Sequence, residues 1–549
     1  MRRLLLTVLA AAALLAGACG TGPRLERPST DIDEERYREA FATLASADFQ
    51  GRRPGTDGEA KTVAWLSAQF RRLKLKGVSG DSYLQSVPMI EFTPLGAPSL
   101  SLRSSGGVRE LAFRQDMVIW SRREAPVAAL AGSQLVFAGF GIVAPELERN
   151  DYAGLAVDGR TVLVLAGEPP PGALLAPGQR ARQPGYYARP GYKIEEALRH
   201  GAGAVLVLHD PQLTGIPWER IVAEAAGVRL DPAPEASADA QPAIEGWLSA
   251  DAGRALLAAA GVDYPAILAA AAGRAFRGMP LSVTVDANLR HAPRRFLSSN
   301  VIGVLPGARH KDEYIVYTAH WDHLGIQETP AGSVLYPGAI DNASGVAGLV
   351  QIARSFTRSM PAPGRTIVFI ATTGAGAGLA GSAWYVSHPL FPLADTVADL
   401  NLDTLHIGGP TRDVSVFGLG QSELDDYVRS AAALQGREVH ADEDLRSGSF
   451  YASDDFSFAA HGVPAFYAIG GNDDAARGPG WGRDVRRDYL LNRYQRPGDV
   501  YDPDWDLRGT VDDLRLYYRI GLSLAYGARF PNWYRSSEFR DAGDQDRGS

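Results

Sequence analysis

Cysteine is almost missing from this chain: Cys19 is the single one among 549 residues. That excludes an intramolecular disulfide framework, so stability has to come from buried apolar surface. A basic surplus is missing too. Lys and Arg number 55 against 63 Asp and Glu, giving a formal charge of −8 with no basic run. A general nucleic-acid binder needs a cationic face to neutralise phosphates, so no nucleic-acid partner is expected. Past the first 18 residues there is no uninterrupted apolar stretch of about 18 residues, the length a membrane-crossing helix requires. Finally, between Asp341 and Asp395 the chain contains no Asp or Glu at all.

What is present is the composition of a folded protein, 45% hydrophobic and 21% charged. Disorder is thereby excluded, and the length predicts about three to four compact units. Arg2 and Arg3, the apolar stretch 4–16, and Gly17-Ala18-Cys19 have the charge, length and small-residue ending of a secretory signal. The chain is expected to be exported. Ala16-Gly17-Ala18-Cys19 resembles a bacterial lipobox, which implies lipidation of Cys19 and an outer-membrane lipoprotein facing the periplasm or cell surface. Ala16-x-Ala18 also suits an ordinary signal peptidase, which would leave a soluble periplasmic or secreted protein. The lipid anchor is preferred because it explains why cysteine occurs there and nowhere else. Residues 1–19 then form the signal, and 20–30 a linker.

Amphipathic spacing predicts helices over 32–44 and 59–73, with the tight-turn cluster Gly51-Arg52-Arg53-Pro54-Gly55-Thr56 between them. Over 96–289 the texture changes to short β-like runs at 134–140, 161–166 and 204–209, and an alanine-rich stretch at 250–275 reads as one helix. From 300 onward strands at 300–305, 314–319, 366–372 and 414–418 alternate with helices at 344–356 and 422–434. That alternation predicts an α/β fold with a mostly parallel mixed sheet covered by helices on both faces, whose active residues lie beyond the carboxyl ends of strands. The expected organisation is 31–95 and 290–537 forming the main domain, 96–289 inserted within it, and 538–549 as a polar tail.

His320, Trp321, Asp322 and His323 stand at the end of the predicted strand 314–319. An imidazole steadied by a nearby carboxylate is a common arrangement at zinc, so His320 is a candidate ligand and Asp322 its orienter. Asp341 lies in a Gly-rich turn before a helix, where it could bind metal or serve as a simple N-cap. Asp403 follows another apolar run. Together with Ser299-Asn300-Val301-Ile302, Gly381-Ser382, Ser453-Asp454, Gly462-Val463-Pro464 and Tyr494, these segments resemble the zinc exopeptidases of peptidase family M28. Phe137-Ala138-Gly139-Phe140-Gly141-Ile142, Asp151-Tyr152-Ala153-Gly154, Tyr192-Lys193, Glu195-Glu196-Ala197 and Gly201-Ala202 resemble the protease-associated domain that such peptidases carry as an insertion.

The resemblance implies a zinc exopeptidase-like fold and a site of two zinc ions bridged by an Asp. One ion is completed by a His and an Asp, the other by a Glu and a late His, while a further Glu acts as general base. Carried onto this chain, His320, Asp341 and Asp403 match the ligands of one zinc. The adjacent Glu pair falls on Ala375, the base position, and Gly376, a ligand position. The late His falls on Gln495, and Asp455 stands where the Ser-Asp pair is followed by His. At most one zinc per chain is therefore expected, and the family reaction is expected to be lost or strongly impaired, leaving a protein that binds peptides or amino-acid derivatives. A single-metal aminopeptidase or carboxypeptidase with a substitute base such as Asp455 is the alternative. Arg295, Trp384 and Tyr451 are candidates to line a specificity pocket. Gly376-Ala377-Gly378-Leu379-Ala380-Gly381 also spells G-x-G-x-x-G after a strand, with Asp395 and Asp399 about 20 residues on, which leaves a remote dinucleotide-binding reading.

Overall fold

The computed structural model describes residues 32–170, 185–234, 241–329, 332–443 and 448–547. Cys19, the signal and the linker lie outside the described residues. The mixed, mostly parallel α/β sheet expected from the sequence is present. From one edge its strands run Glu438–Ala441, Asp413–Phe417, Ala465–Gly470, Thr396–Asn401, His310–His320, Arg365–Thr372 and Met279–Leu305. The pairs flanking His310–His320 on both sides are parallel, while Asp413–Phe417 and Met279–Leu305 join antiparallel.

Period-two alternation assigns the strand side chains to two layers. Ile315, Tyr317 and Phe369 pack beneath Val346, Leu349, Phe356, Leu514, Tyr517 and Tyr518 of helices Ser344–Thr357 and Arg508–Tyr526, and Phe41 of helix Glu34–Leu44 joins the same core. Val316, Val368 and Ile370 face the other way, against Tyr385 and Val386 of helix Ala380–Ser387 and Phe458 of helix Asp455–Ala460. Helices thus cover both faces.

The strand expected at 300–305 is the last part of a 27-residue strand, Met279–Leu305. Its first half pairs with Val127–Phe137 and its middle with Leu84–Pro94, Pro94 lying opposite His291. The chain therefore leaves for residues 96–289 and returns from them side by side. Buried residues between 100 and 289, among them Leu100, Phe137, Leu163, Leu206 and Leu256, form a core of their own.

The alanine-rich stretch is two helices, Ala250–Ala259 and Tyr264–Ala272, bent by 100°. Gly261 takes a positive φ of 75°, and Asp263 caps the second helix by accepting the Ala266 N–H, so local turn chemistry overrides the helix propensity of alanine. Among the described residues no single helix is long and apolar enough to cross a membrane. The end of the chain, expected as a polar tail, is anchored. Phe539 is buried against Trp533, Glu538 accepts the Tyr451 hydroxyl at 2.6 Å, and Arg540–Arg547 is a helix.

Candidate metal centre

Strands His310–His320, Arg365–Thr372 and Thr396–Asn401 lie in register with His320 opposite Thr372 and Thr318 opposite Asn401, so their carboxyl ends open along one edge. His320 ends the first strand, Asp403 follows the third by two residues, and Asp341 comes from the turn ahead of helix Ser344–Thr357.

Arg52 ties these segments together. Fully buried, its guanidinium donates to the main-chain oxygens of Trp321, Leu44 and Pro337 at 2.8 Å each and of Gly338 at 2.6 Å, joining the His320 loop to the Asp341 turn. Burial lowers its pKa to about 10, which still leaves it charged. Gly338 sits at φ 62°, and a Cβ there would lie 2.4 Å from both the Asp341 oxygen and the His323 ring, so a side chain is excluded. Asp499 holds the turn from the opposite end of the sequence. Its Oδ1 accepts the Ile340 N–H at 2.9 Å and its Oδ2 the Asp341 N–H at 3.1 Å.

Within this frame His320 Nε2 stands 3.1 Å from Asp341 Oδ1 and 3.5 Å from Asp403 Oδ1. One donor atom from each of the three residues lies within 4.8 Å of the others. Burial alone would depress the His320 pKa, but the Asp403 and Asp341 carboxylates outweigh it and raise it well above the usual value. The ring's Nδ1 bonds to the main-chain oxygen of Asp322 at 3.1 Å, nearer than the Asp322 carboxylate at 3.8 Å. Asp322 thus steadies the imidazole through its backbone, while its carboxylate accepts the Ala375 N–H at 3.2 Å. Asp403 Oδ2 accepts the Ser453 hydroxyl at 2.9 Å, whereas its Oδ1 is buried without a hydrogen-bond partner among the described residues. A carboxylate oxygen left without a donor, beside an imidazole nitrogen and a second carboxylate, is a set that a divalent cation would satisfy, and one N with two O donors suits zinc.

Positions 375, 376 and 495 add no donor. Ala375 contributes a methyl group, Gly376 is exposed with nothing within 4 Å of where a Cβ would sit, and Gln495 turns its amide toward the Tyr494 hydroxyl at 3.4 Å. The loop itself is firmly held, since Asn300 accepts the Thr373 N–H at 3.1 Å and donates to the Gly381 oxygen at 2.9 Å. Among the described residues, His320, Asp341 and Asp403 form the only three-donor group of this kind.

Residues 300–518 match the sequence model of Peptidase family M28. This part of the chain is similar to the M28 peptidases. A probable zinc metalloprotease of Pyricularia oryzae is 40% identical over 86 residues, which make up 16% of this chain and 16% of that protein. The mouse aminopeptidase NAALADL1 is 32% identical over 114 residues, 19% of this chain and 13% of that protein. The chain thus matches less than one fifth of the length of either relative. The aminopeptidase from Aneurinibacillus sp. strain AM-1 is similar in fold, with a TM-score of 0.51 at 18% identity over 90% of this chain and 94% of that one.

Several residues of the matched region have surroundings that the sequence did not disclose. Asp455 is fully buried, accepts the Asn401 amide at 3.3 Å, and is pushed well above the carboxylate range by burial and by Asp403 and Asp454. His323 places Nδ1 3.5 Å from Asp341 Oδ2, and burial pushes its pKa down to about 4, so the ring is neutral. Asp399 is fully buried on the Thr318 hydroxyl at 3.0 Å, and Asp395 precedes strand Thr396–Asn401. Neither acid is at the carboxyl end of that strand, where a ribose-binding acid would stand. Arg295 is exposed and bonds Glu124 at 2.9 Å, and Trp384 stacks on His388 at 3.8 Å. Arg52, Asp499 and Ser453 were not assigned roles from the sequence. Arg52 lies inside a noted turn motif, but nothing local shows that its charge is spent on four main-chain carbonyls, three of them distant in sequence.

Proposed function

We propose that this chain is an exported M28 homologue whose cleft takes up a peptide or an amino-acid-derived ligand beside at most one zinc ion, with hydrolysis lost or strongly impaired. The observation that carries this reading is the asymmetry of the site: His320, Asp341 and Asp403 converge within 4.8 Å, while the facing loop presents only the methyl of Ala375 and the bare backbone of Gly376. Bound to those three side chains, zinc would act as a Lewis acid toward a carbonyl oxygen. The chain's own groups do the rest of the binding work. Asp322 and Arg52 fix the His320 loop, Ser453 aims Asp403, and Asp499 holds the turn that carries Asp341. What is lacking is a carboxylate at 375 to take the proton of an attacking water, a loss worth about 10² to 10⁴ in rate. Asp455 is read as a poor substitute, because it is fully buried and burial, with Asp403 and Asp454 beside it, raises its pKa well above the usual carboxylate value.

Residues 96–289 are read as a protease-associated module flanking the cleft. Two contacts support this: Tyr186 packs on Tyr451 with ring centroids 5.3 Å apart, and the Arg220 guanidinium lies 4.8 Å from the Tyr494 ring centroid. Membrane association through lipidated Cys19 remains part of the proposal, checked by radiolabelled palmitate incorporation and its loss in Cys19→Ala. Elemental analysis beside an aminoacyl-nitroanilide assay tests the functional reading. The expected result is no more than one zinc per chain and turnover near background. Two zinc ions with ordinary peptidase rates would overturn it.

A further inference from the structure

We infer that the cavity between helix Arg508–Tyr526 and the segments leading into strands Asp413–Phe417 and Glu438–Ala441 is a binding site for a phosphate ester, separate from the metal centre. The cavity has a volume of about 490 Å³ and shares no lining residue with the His320, Asp341 and Asp403 group. That volume falls inside the span of about 300–1,000 Å³ usual for small-molecule sites. Its wall is basic although the chain carries a formal charge of −8: Arg412, Arg437, Arg515 and Arg519 line it against a single acid, Asp512. Gln435, also in the wall, ties its two sides together by donating Nε2 to the Asp512 main-chain oxygen at 2.8 Å.

Two of these arginines are structural. Arg437 is buried, with Nη2 on Asp513 at 2.8 Å and on the Thr411 hydroxyl at 2.9 Å. Arg412 spends Nη1 on Asp473 at 3.0 Å and on the Asp474 main-chain oxygen at 2.9 Å. The Asp413 carboxylate nearby is occupied by the Asn472 and Asp473 N–H groups at 2.9 Å each. The other two arginines are less committed. Arg515 meets Asp512 through Nη1 at 2.9 Å, and Arg519 has no carboxylate partner among the described residues. An unpaired arginine alone is no site; Arg519 is set apart because it shares a concave wall with Arg515, one helical turn earlier and about 5–6 Å away at Cβ. Like charges so placed repel, and an anion between them replaces the repulsion with two charge-assisted contacts. A phosphate ester suits this pair better than a carboxylate, because two guanidinium forks call for more than two acceptor oxygens and a phosphate offers three. The rest of the volume is left for the organic part of the ester, to which Leu434, a lining residue 74% exposed, offers an apolar contact. A soluble ester and a lipid headgroup present the same group to this wall.

Isothermal titration of the full chain with glycerol 3-phosphate, and co-sedimentation with phosphatidic acid vesicles beside phosphatidylcholine ones, both at fixed ionic strength, test this. Saturable binding of glycerol 3-phosphate assigns the site to a soluble ester, and binding confined to phosphatidic acid assigns it to a lipid headgroup. In either case Arg519→Gln should weaken affinity about tenfold or more, the range of a charge-assisted hydrogen bond. Asp512→Asn, which removes the competing carboxylate, should instead tighten it, and a gain of affinity is not something a misfolded variant produces. Absence of binding to both probes overturns the inference. So does an affinity that Arg519→Gln leaves unmoved, which would place the phosphate elsewhere, the metal centre included. None of these outcomes bears on the peptide reading of the cleft.

Discussion

Replacing Ala375 and Gly376 with glutamate and Gln495 with histidine should convert a one-metal site into a two-metal one, and the structure says why the scaffold would accept the change. Gly376 is exposed, its φ is not positive, and a Cβ there has nothing within 4 Å, so a glutamate adds no clash. Position 495 is in the left-handed region at φ 54°, which histidine adopts several-fold more readily than most residues. The loop between them and the metal centre is pinned by Asn300 on both sides. Glutamate at 375 would stand beside Asp322, whose carboxylate already accepts the 375 N–H, so without metal the variant should be destabilised by like-charge repulsion. Zinc at 100 times its dissociation constant should then stabilise it by about 2.7 kcal/mol, seen as a zinc-dependent rise in melting temperature. Zinc content should go from at most one to two per chain, and aminoacyl-nitroanilide turnover should rise by about 10² to 10⁴, the contribution of a general base. A triple variant that still holds no more than one zinc and shows no gain in rate would refute the reasoning, because it would place the defect in the surrounding shell.

Other outcomes follow from the supporting groups. Ser453→Ala, which frees Asp403 Oδ2, should weaken zinc affinity about 10- to 100-fold in chelator competition, as loss of a ligand's hydrogen-bond partner usually does; unchanged affinity would mean that Asp403 is not a ligand. Arg52→Met strands main-chain oxygens of Trp321, Leu44, Pro337 and Gly338, and at about 1–3 kcal/mol for each buried group left unpaired it should cost at least about 3 kcal/mol in denaturant unfolding. Lys193 is fully buried with Nζ on the Phe140 oxygen at 2.7 Å, and burial lowers its pKa from 10.5 to about 7. Between those two values the unfolded chain binds more protons, so stability should climb with pH across that window, by at most about 1.4 kcal/mol per pH unit. The stability lost on acidification toward pH 7 should shrink in Lys193→Met, and identical pH profiles in calorimetry would count against it.

Where local chemistry decides, the sequence was a reliable guide. Helices Glu34–Leu44 and Ser344–Thr357 and strands Thr161–Leu165, Ala204–Leu208 and Arg365–Thr372 lie within a few residues of their expected bounds, because apolar periodicity is imposed by the core each one faces. The alanine-rich segment went wrong for an equally local reason: the turn residues Gly261 and Asp263 outweigh alanine's preference for helix. Convergence of His320, Asp341 and Asp403 was legible only through a family pattern, since the residues are separated by 21 and 62 positions and no spacing rule links them.

By itself the sequence determined which chemical groups exist: three donors able to hold one cation, no acid between Asp341 and Asp395, a single cysteine at position 19. Only the tertiary structure decided what those groups face. It buried Asp455 against the Asn401 amide, turned the carbonyl of Asp322 toward His320 in place of its carboxylate, and spent the charge of Arg52 on four carbonyls drawn from three segments. A charge acts over a few ångströms and its strength depends on burial and partners, quantities that belong to the folded arrangement of distant segments and are not written in any one of them.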